Sequence, residues 1–342
     1  MEQVALTREE VISILSGIKN VKICLIGDVC LDLYWRADMK RSRLSRETPH
    51  YPLPVVEETY TPGGGGNVIN NIHALDVNKL ISISAIGSDW RGFLLTSWME
   101  QHGIDTSGLL RMEKGMTPCY CKPIRTGISD VAYEDPRLDF ENYEDLSPED
   151  ESKLLHTLDA AAKQVDIIAV SDQYLHGVIT PRIRKRLSEL GQKLPVVVDS
   201  RDKLHGYHGV ILKPNEVEAA LAIGRDITGL DLSIEEYAQV GTTLQTKNGC
   251  PVIVTLGASG ALWCEDGSCK LAPTTQAKPP VDIVGAGDTF LSAFCCAYAA
   301  CKDGPKALAF ANLASGVTVK KIGTTGTATP EEILKKWEES YL

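Results

Sequence analysis

The sequence predicts an α/β fold: a doubly wound, mostly parallel sheet with helices on both faces and a small β-rich lid beside it. Three observations carry this. Continuous apolar runs at 21–27, 80–87, 165–171, 194–200, 209–215 and 251–257 have the composition of strands buried on both faces. Amphipathic stretches of helix length lie between them, at about 67–75, 90–101, 147–164, 180–190, 215–223 and 233–246. Two regions, about 32–60 and 108–140, break the alternation with prolines, turns and short patches of β-formers.

In order along the chain, Thr7 and Glu10 form a capping-box pattern ahead of Val11, Ile12, Ile14, Leu15 and Ile18 at helical spacing, which predicts a leading helix. VKICLIG (21–27) is the first strand, closed by glycine. The strand and helix runs above follow in alternation, and the two irregular regions read as lid segments. No internal repeat, low-complexity tract or linker divides the chain, so residues 1–342 read as one domain with a lid.

Lys and Arg total 35 against 45 Asp and Glu, a formal charge of −10, which disfavours binding to a nucleic-acid backbone. No apolar run approaches the length of a membrane span, and the N-terminus lacks the basic start of a signal peptide. The ten cysteines include no C-x-x-C pair, and several lie in apolar runs. The chain reads as a reduced cytoplasmic protein with a small-molecule substrate.

The sharpest motif is Val284-Gly285-Ala286-Gly287-Asp288-Thr289-Phe290, ahead of an apolar helix. Glycines opening a helix leave N–H groups aimed outward, an anion site reinforced by the helix dipole. Asp288 at that start is placed to take a proton from an attacking hydroxyl, and Asp282 is a second carboxylate nearby. A plain N-cap is the rival reading. Pro62-Gly63-Gly64-Gly65-Gly66-Asn67 permits close backbone approach to a ligand or a hinge, and Asn67 suits sugar hydroxyls. Asn215 and Glu218, three apart after an apolar strand, offer hard oxygens to Mg²⁺, or simply cap a helix. Thr255, Gly257 and Gly260 end another strand, where α/β sheets bind ligands. No Gly-Lys dipeptide exists, so a Walker A loop is excluded; H-E-x-x-H and G-x-S-x-G are absent too.

These four motifs, in this order, resemble the ribokinase-like (PfkB) sugar kinases, over about residues 21–339. The resemblance implies a ribokinase-like three-layer fold and an ATP- and Mg²⁺-dependent kinase, with Asp288 as base and Gly285, Ala286 and Gly287 as anion hole. It implies a Mg²⁺ role for Asn215 and Glu218 and a nucleotide site at Asn215, Thr255, Gly257, Gly260 and Asn312, with Gly323 and Thr324 in the loop beyond. It also admits a monovalent cation (K⁺), although Ile283 and Val284 stand where hydroxyl residues are usual. Asp32, Gly64, Gly65 and Asn67 match the sugar site.

Within the family the chain is most similar to heptose 7-phosphate kinases, through Gly27–Trp35, Ser42–Thr48, Pro62–Val68 and Arg137–Glu141. Arg43, in a basic run with Arg36, Lys40, Arg41 and Arg46, would meet a phosphate already on the sugar. The expectation is a sugar-phosphate kinase, homodimeric through its lid. The rivals are a kinase for a free sugar or nucleoside, and a non-catalytic sugar-binding protein.

Overall fold

Two sheets organise the chain. Helix α1 (Arg8–Ile18) leads into β1 (Lys22–Gly27), after which come β2 (Val29–Asp38), β3 (Val55–Gly64) and α2 (Gly65–Ala74). Next are β4 (Lys79–Gly87), α3 (Trp90–Gln101), β5 (Leu109–Met112), β6 (Cys119–Thr126), β7 (Tyr133–Glu134) and β8 (Leu138–Phe140). Then follow α4 (Pro148–Ala161), β9 (Ile167–Asp172), α5 (Pro181–Leu190), β10 (Val196–Ser200), β11 (Ile211–Leu212), α6 (Glu216–Ala222) and α7 (Ile234–Asn248). The chain ends with β12 (Val252–Thr255), β13 (Ala261–Glu265), β14 (Ser268–Ala272), α8 (Ala286–Cys301), α9 (Gly304–Thr318) and α10 (Pro330–Tyr341). The computed structural model describes every residue except Asp231, Gln276, Thr324 and Leu342.

The large sheet has the order β14-β13-β12-β11-β10-β9-β1-β4-β5. It is parallel from β12 to β5, and β13 and β14 add an antiparallel hairpin at one edge. Period-2 geometry divides each apolar run between two layers. Ile23 and Leu25 pack with α1, α2, α8 and α9, while Cys24 and Ile26 pack with α4, α5 and α7. That is the physical reason the strands read as continuous apolar runs.

The small sheet has the order β3-β2-β6-β7, with β8 also on β6. One of its junctions with the large sheet lies at Asp28. β1 passes into β2 through Asp28, and β3 passes into α2 at Gly64 and Gly65, where the Gly65 N–H donates to the Asp28 carbonyl (2.7 Å). Gly64 has φ +54°, and a Cβ there would lie 2.8 Å from that same oxygen, so glycine is required.

Three expectations change. The segment 108–140 is not all in the small sheet: Leu109–Met112 pairs in parallel with β4 at the edge of the large one. The run 209–215 keeps only Ile211–Leu212 as strand. Cys264 and Cys269, directly opposed across the β13–β14 hairpin, are disulfide-bonded, so these two thiols are not reduced. Among the described residues, no helix is long and apolar enough to cross a membrane.

Candidate active site

Asp288 lies in the first turn of α8, whose N-terminal residue Gly285 adopts φ +78° and supplies no side-chain cap. The Ala286 N–H is taken by the Ile283 carbonyl (3.1 Å) and the Thr289 N–H by Gly285 (3.0 Å). Among the described residues the N–H groups of Gly287 and Asp288 have no acceptor. The Gly285 N–H has none either, so among the described residues the free amides belong to Gly285, Gly287 and Asp288, and Ala286 is not one of them. Gly287 has open space where a Cβ would stand. Together with the dipole of a sixteen-residue helix, this makes a place for an anion.

The two glycine motifs interlock. Asn67, in the first turn of α2, donates from Nδ2 to Asp288 Oδ2 at 2.7 Å. A Cβ on Gly285 would sit 2.8 Å from that Nδ2, so the bare Cα of Gly285 admits the Asn67 amide. Asn67 is buried, and its Oδ1 accepts from Asn71 Nδ2 (3.2 Å). Its amide thus serves the carboxylate of Asp288, a use the sequence reading did not anticipate.

Burial pushes the Asp288 carboxyl up to about 7, against the pull of the Asn67 hydrogen bond; the charge of Asp199 pushes the same way, and Lys213 opposes it. Asp32 is buried on β2, also raised by burial, with Lys122 opposing; the Lys122 Nζ lies 3.5 Å from its Oδ1. Gly63 matters more here than Gly64 or Gly65: a Cβ on it would meet Asp32 Oδ2 and Cys30 Sγ at 2.7 Å. Beside Asp32 the wall consists of Tyr120, stacked under the Arg137 guanidinium (4.1 Å), and Tyr174. Arg43, by contrast, is exposed, and among the described residues it makes no ion pair or hydrogen bond with these groups. Within its basic run, Arg36 is paired with Glu57 and Arg41 with Asp38.

Two further groups were not foreseen. Lys213, buried at the end of β11, bonds Asp199 at 2.9 Å and feels Glu218 and Asp288 as well; these carboxylates hold it above its usual value in spite of burial. Asp28 accepts N–H bonds from Gln173 (2.8 Å), Tyr174 (2.8 Å) and Val178 (2.6 Å), pinning the loop after β9. A buried acid after the first strand was visible in the sequence; its partners, some 145 residues away, were not.

Asn215 and Glu218 form a capping box at the start of α6: Asn215 Oδ1 accepts from Val217 and Glu218, and Glu218 Oε2 accepts the Asn215 N–H (2.8 Å). The helix-cap reading is therefore correct for this pair, with Glu218 Oε1 left over. Among the described residues no three His, Cys, Asp or Glu side chains converge on one metal position. Mg²⁺ normally takes one or two protein carboxylates with waters and phosphates, so Glu218, half-buried and with only Oε2 used by the cap, still fits that ion. Thr255 bridges to Asn215, while Gly257 (φ +53°) and Gly260 (φ +104°) bound a tight turn. Asn312 Nδ2 donates to the Ala272 carbonyl (2.7 Å), and its side chain lines a cavity with Pro273, Thr274, Leu313 and Lys336. Gly323 N–H donates to Asp282 Oδ2 (2.9 Å), which ties the two loops together; Thr324 lies outside the described residues.

The chain is 33% identical over 336 residues to the bifunctional protein HldE of Geotalea uraniireducens, covering 96% of this chain and 65% of that protein. It is 31% identical to HldE of Trichlorobacter lovleyi, again over 96% and 65%. The chain thus spans about two thirds of the length of these curated relatives. Among solved structures, Arabidopsis thaliana ribokinase complexed with ribose and ATP superimposes with TM-score 0.66 at 19% identity, covering 93% of this chain and 99% of that one. Escherichia coli phosphofructokinase-2 superimposes with TM-score 0.70 at 17% identity, covering 94% and 100%. These neighbours show the fold. The model of the pfkB family of carbohydrate kinases matches residues 21–332, and on that match the chain belongs to this family of phosphotransferases with an alcohol group as acceptor.

Proposed function

We propose that the chain transfers the γ-phosphoryl group of ATP to a hydroxyl of a sugar that already carries a phosphate, of the heptose 7-phosphate type. The observation that carries the acceptor class is the pairing of Asp32 with Lys122 at 3.5 Å, with Arg137 stacked on the adjoining Tyr120. A carboxylate for sugar hydroxyls thus stands beside Lys122, a cation suited to a phosphate, with Arg137 behind Tyr120 and itself paired with Asp139 (2.6 and 2.7 Å). The similarity to HldE proteins supports the same class.

Asp288 takes the proton of the acceptor hydroxyl on one carboxylate oxygen while Asn67 holds the other. The Gly287 and Asp288 amides and the α8 dipole face charge that builds on the transferred group. Thr255, Gly257, Gly260 and Asn312 border the nucleotide. Glu218, with Asn215, would hold Mg²⁺, which when bound supplies neutralising charge to the phosphate oxygens. Ile283 and Val284 bring no side-chain oxygen to the loop, so a K⁺ ion there would rest on carbonyls and Asp282. The small sheet screens the acceptor from water, which limits loss of ATP to hydrolysis. Exposed Val55 and Val56 on its edge strand β3 fit a second copy of the chain, and a monomeric mass by light scattering would remove that part.

The test is ADP release from ATP and Mg²⁺ across a panel of free sugars and sugar phosphates, with Asp288→Asn as control. Turnover confined to a phosphosugar and lost in the variant supports the proposal. Preference for ribose, fructose or adenosine overturns the acceptor class and leaves the family intact.

A further inference from the structure

We propose that Asn71 is a positioning residue of the reaction, acting through Asn67 on the Asp288 carboxylate. The inference rests on the reading of Asp288 as the base. The argument begins with two groups whose hydrogen-bonding sense is not in question, the backbone carbonyls of Asn67 and Gly326. Both face Asn71 Nδ2, at 3.0 and 3.5 Å. A carbonyl only accepts, so the amide of Asn71 must turn its NH₂ toward them. Its oxygen then points the other way and accepts from Thr289 Oγ1 at 3.0 Å.

With Asn71 oriented in this way, its NH₂ also donates to Asn67 Oδ1 (3.2 Å). That fixes the second amide: Asn67 must present oxygen to Asn71 and NH₂ to Asp288 Oδ2 (2.7 Å). The chain therefore runs from fixed backbone to base in two amides. Asn67 and Asn71 are both buried and lie one turn apart on α2, and they reach α8 through Asp288 and Thr289. Without Asn71, Asn67 Oδ1 loses that donor, and the amide can turn its oxygen to accept the O–H of a protonated Asp288 as readily as it turns its NH₂ to the ionised form.

The consequence is specific to the proton. A donor on Oδ2 favours the ionised carboxylate and leaves Oδ1 for the acceptor hydroxyl. The other groups facing Asp288 are Asp32 and Cys30 from β2, Asp199 at the end of β10 and Lys213 after β11, and none of them contacts Asn71. Removing the orienting amide leaves their influence in place and lets Asn67 serve the protonated carboxyl as an acceptor too, so the base titrates at higher pH.

The experiment measures the pH profile of kcat/KM for Asn71→Ala, Asn67→Ala and the double variant. The acid limb of each is expected about one pH unit higher, because a hydrogen bond to a charged group is worth at least that much. The KM for ATP should not change. The double variant should move no further than either single one, since Asn71 acts only through Asn67. Asn248→Ala is the structural control: it removes a buried bond, from Asn248 Nδ2 to the Val210 carbonyl (2.7 Å), away from Asp288 and outside the amide chain. It should lower the melting temperature without moving the limb. Should Asn71→Ala fail to fold, Asn71→Ser carries the same test, being too short to hold Asn67 Oδ1. An unmoved limb in the Asn71 variants, or additive shifts in the double variant, overturns the inference. Failure of the underlying reading looks different: Asp288→Asn would then turn over at the parent rate.

Discussion

Gly285 and Gly287 stand two apart in one turn, yet alanine at each should fail or succeed for unrelated reasons. At Gly285 the backbone has φ +78°, and a Cβ would lie 2.8 Å from Asn67 Nδ2 and 3.3 Å from Thr325 Cγ2. The left-handed conformation costs an L-residue about 1–2 kcal/mol, and disrupting the buried Asn67–Asp288 bond about 1–3 more. Unfolding entropy of roughly 2 cal/mol/K per residue makes that a loss of about 3–7 °C in Tm for a chain of 342 residues. The displaced amide should also lower kcat by about 10- to 100-fold. At Gly287 nothing lies within 4 Å and the backbone is helical, so alanine should leave the fold untouched or stabilise it by about 0.4–1 kcal/mol. Its cost should appear only with ligand bound, as a loss of about 10²-fold in kcat where a methyl group stands between the free amides and the phosphoryl oxygens. Thermal melts of the free protein, paired with coupled ADP-release kinetics, separate the two. Parent stability in Gly285→Ala refutes the interlock of the two glycine motifs. Parent kinetics in Gly287→Ala refutes the anion site.

Other perturbations test the remaining parts. Because burial raises Asp288 to about 7 and the base must be ionised, kcat/KM should fall about tenfold per unit below pH 7; a limb below pH 5 would show that the carboxylate is not desolvated as described. Lys122→Met should raise the KM for a phosphosugar about tenfold and leave that for ATP alone, whereas Arg43→Ala, exposed and apart from Asp32, should change either by less than about twofold; the reverse order in steady-state kinetics would return the phosphate to the basic run. Gly260→Ala places a Cβ 2.1 Å from the Ala272 carbonyl that Asn312 also holds, so stability should drop by about 2–4 kcal/mol in a denaturant melt, with a raised KM for ATP.

What the sequence made legible follows from how each signal is written. Strands buried on both faces show as unbroken apolar runs, and the helices between them carry their caps openly: Thr7, Thr180, Asn215 and Ser233 all cap as side chains. Leu109–Met112 was hidden because a four-residue edge strand next to a turn has no periodicity long enough to assign it to either sheet. The site was legible where one segment supplies both a glycine and its partner, as at Gly285–Asp288. It was not legible where register decides. Lys122 reaches Asp32 only because β2 and β6 run in parallel with Asp32 opposite Tyr120 and Tyr34 opposite Lys122, which places Lys122 one step along the same face. Likewise, the glycine that clears Asp32 is Gly63, since antiparallel pairing sets Cys30 against Gly63.

The pattern of charges also bears on which of three neighbouring carboxylates suits the proposed role of base. Asp199 is committed to Lys213 at 2.9 Å and Asp32 to Lys122 at 3.5 Å. Among the described residues Asp288 has no ion-pair partner, and its one side-chain donor is the neutral amide of Asn67. An opposite charge in contact stabilises the ionised form, whereas burial without one favours the proton. Burial accordingly raises Asp288 to about 7, near the pH at which a general base is most effective. Since Asp32 and Asp199 both hold Asp288 up, neutralising either should move the acid limb downward and weaken binding without removing the limb. Neutralising Asp288 should abolish the limb together with the rate. If Asp199→Asn abolished turnover as completely as Asp288→Asn while the ATP affinity stayed intact, the proton would have to pass through Asp199, and the division of roles drawn from these ion pairs would be wrong.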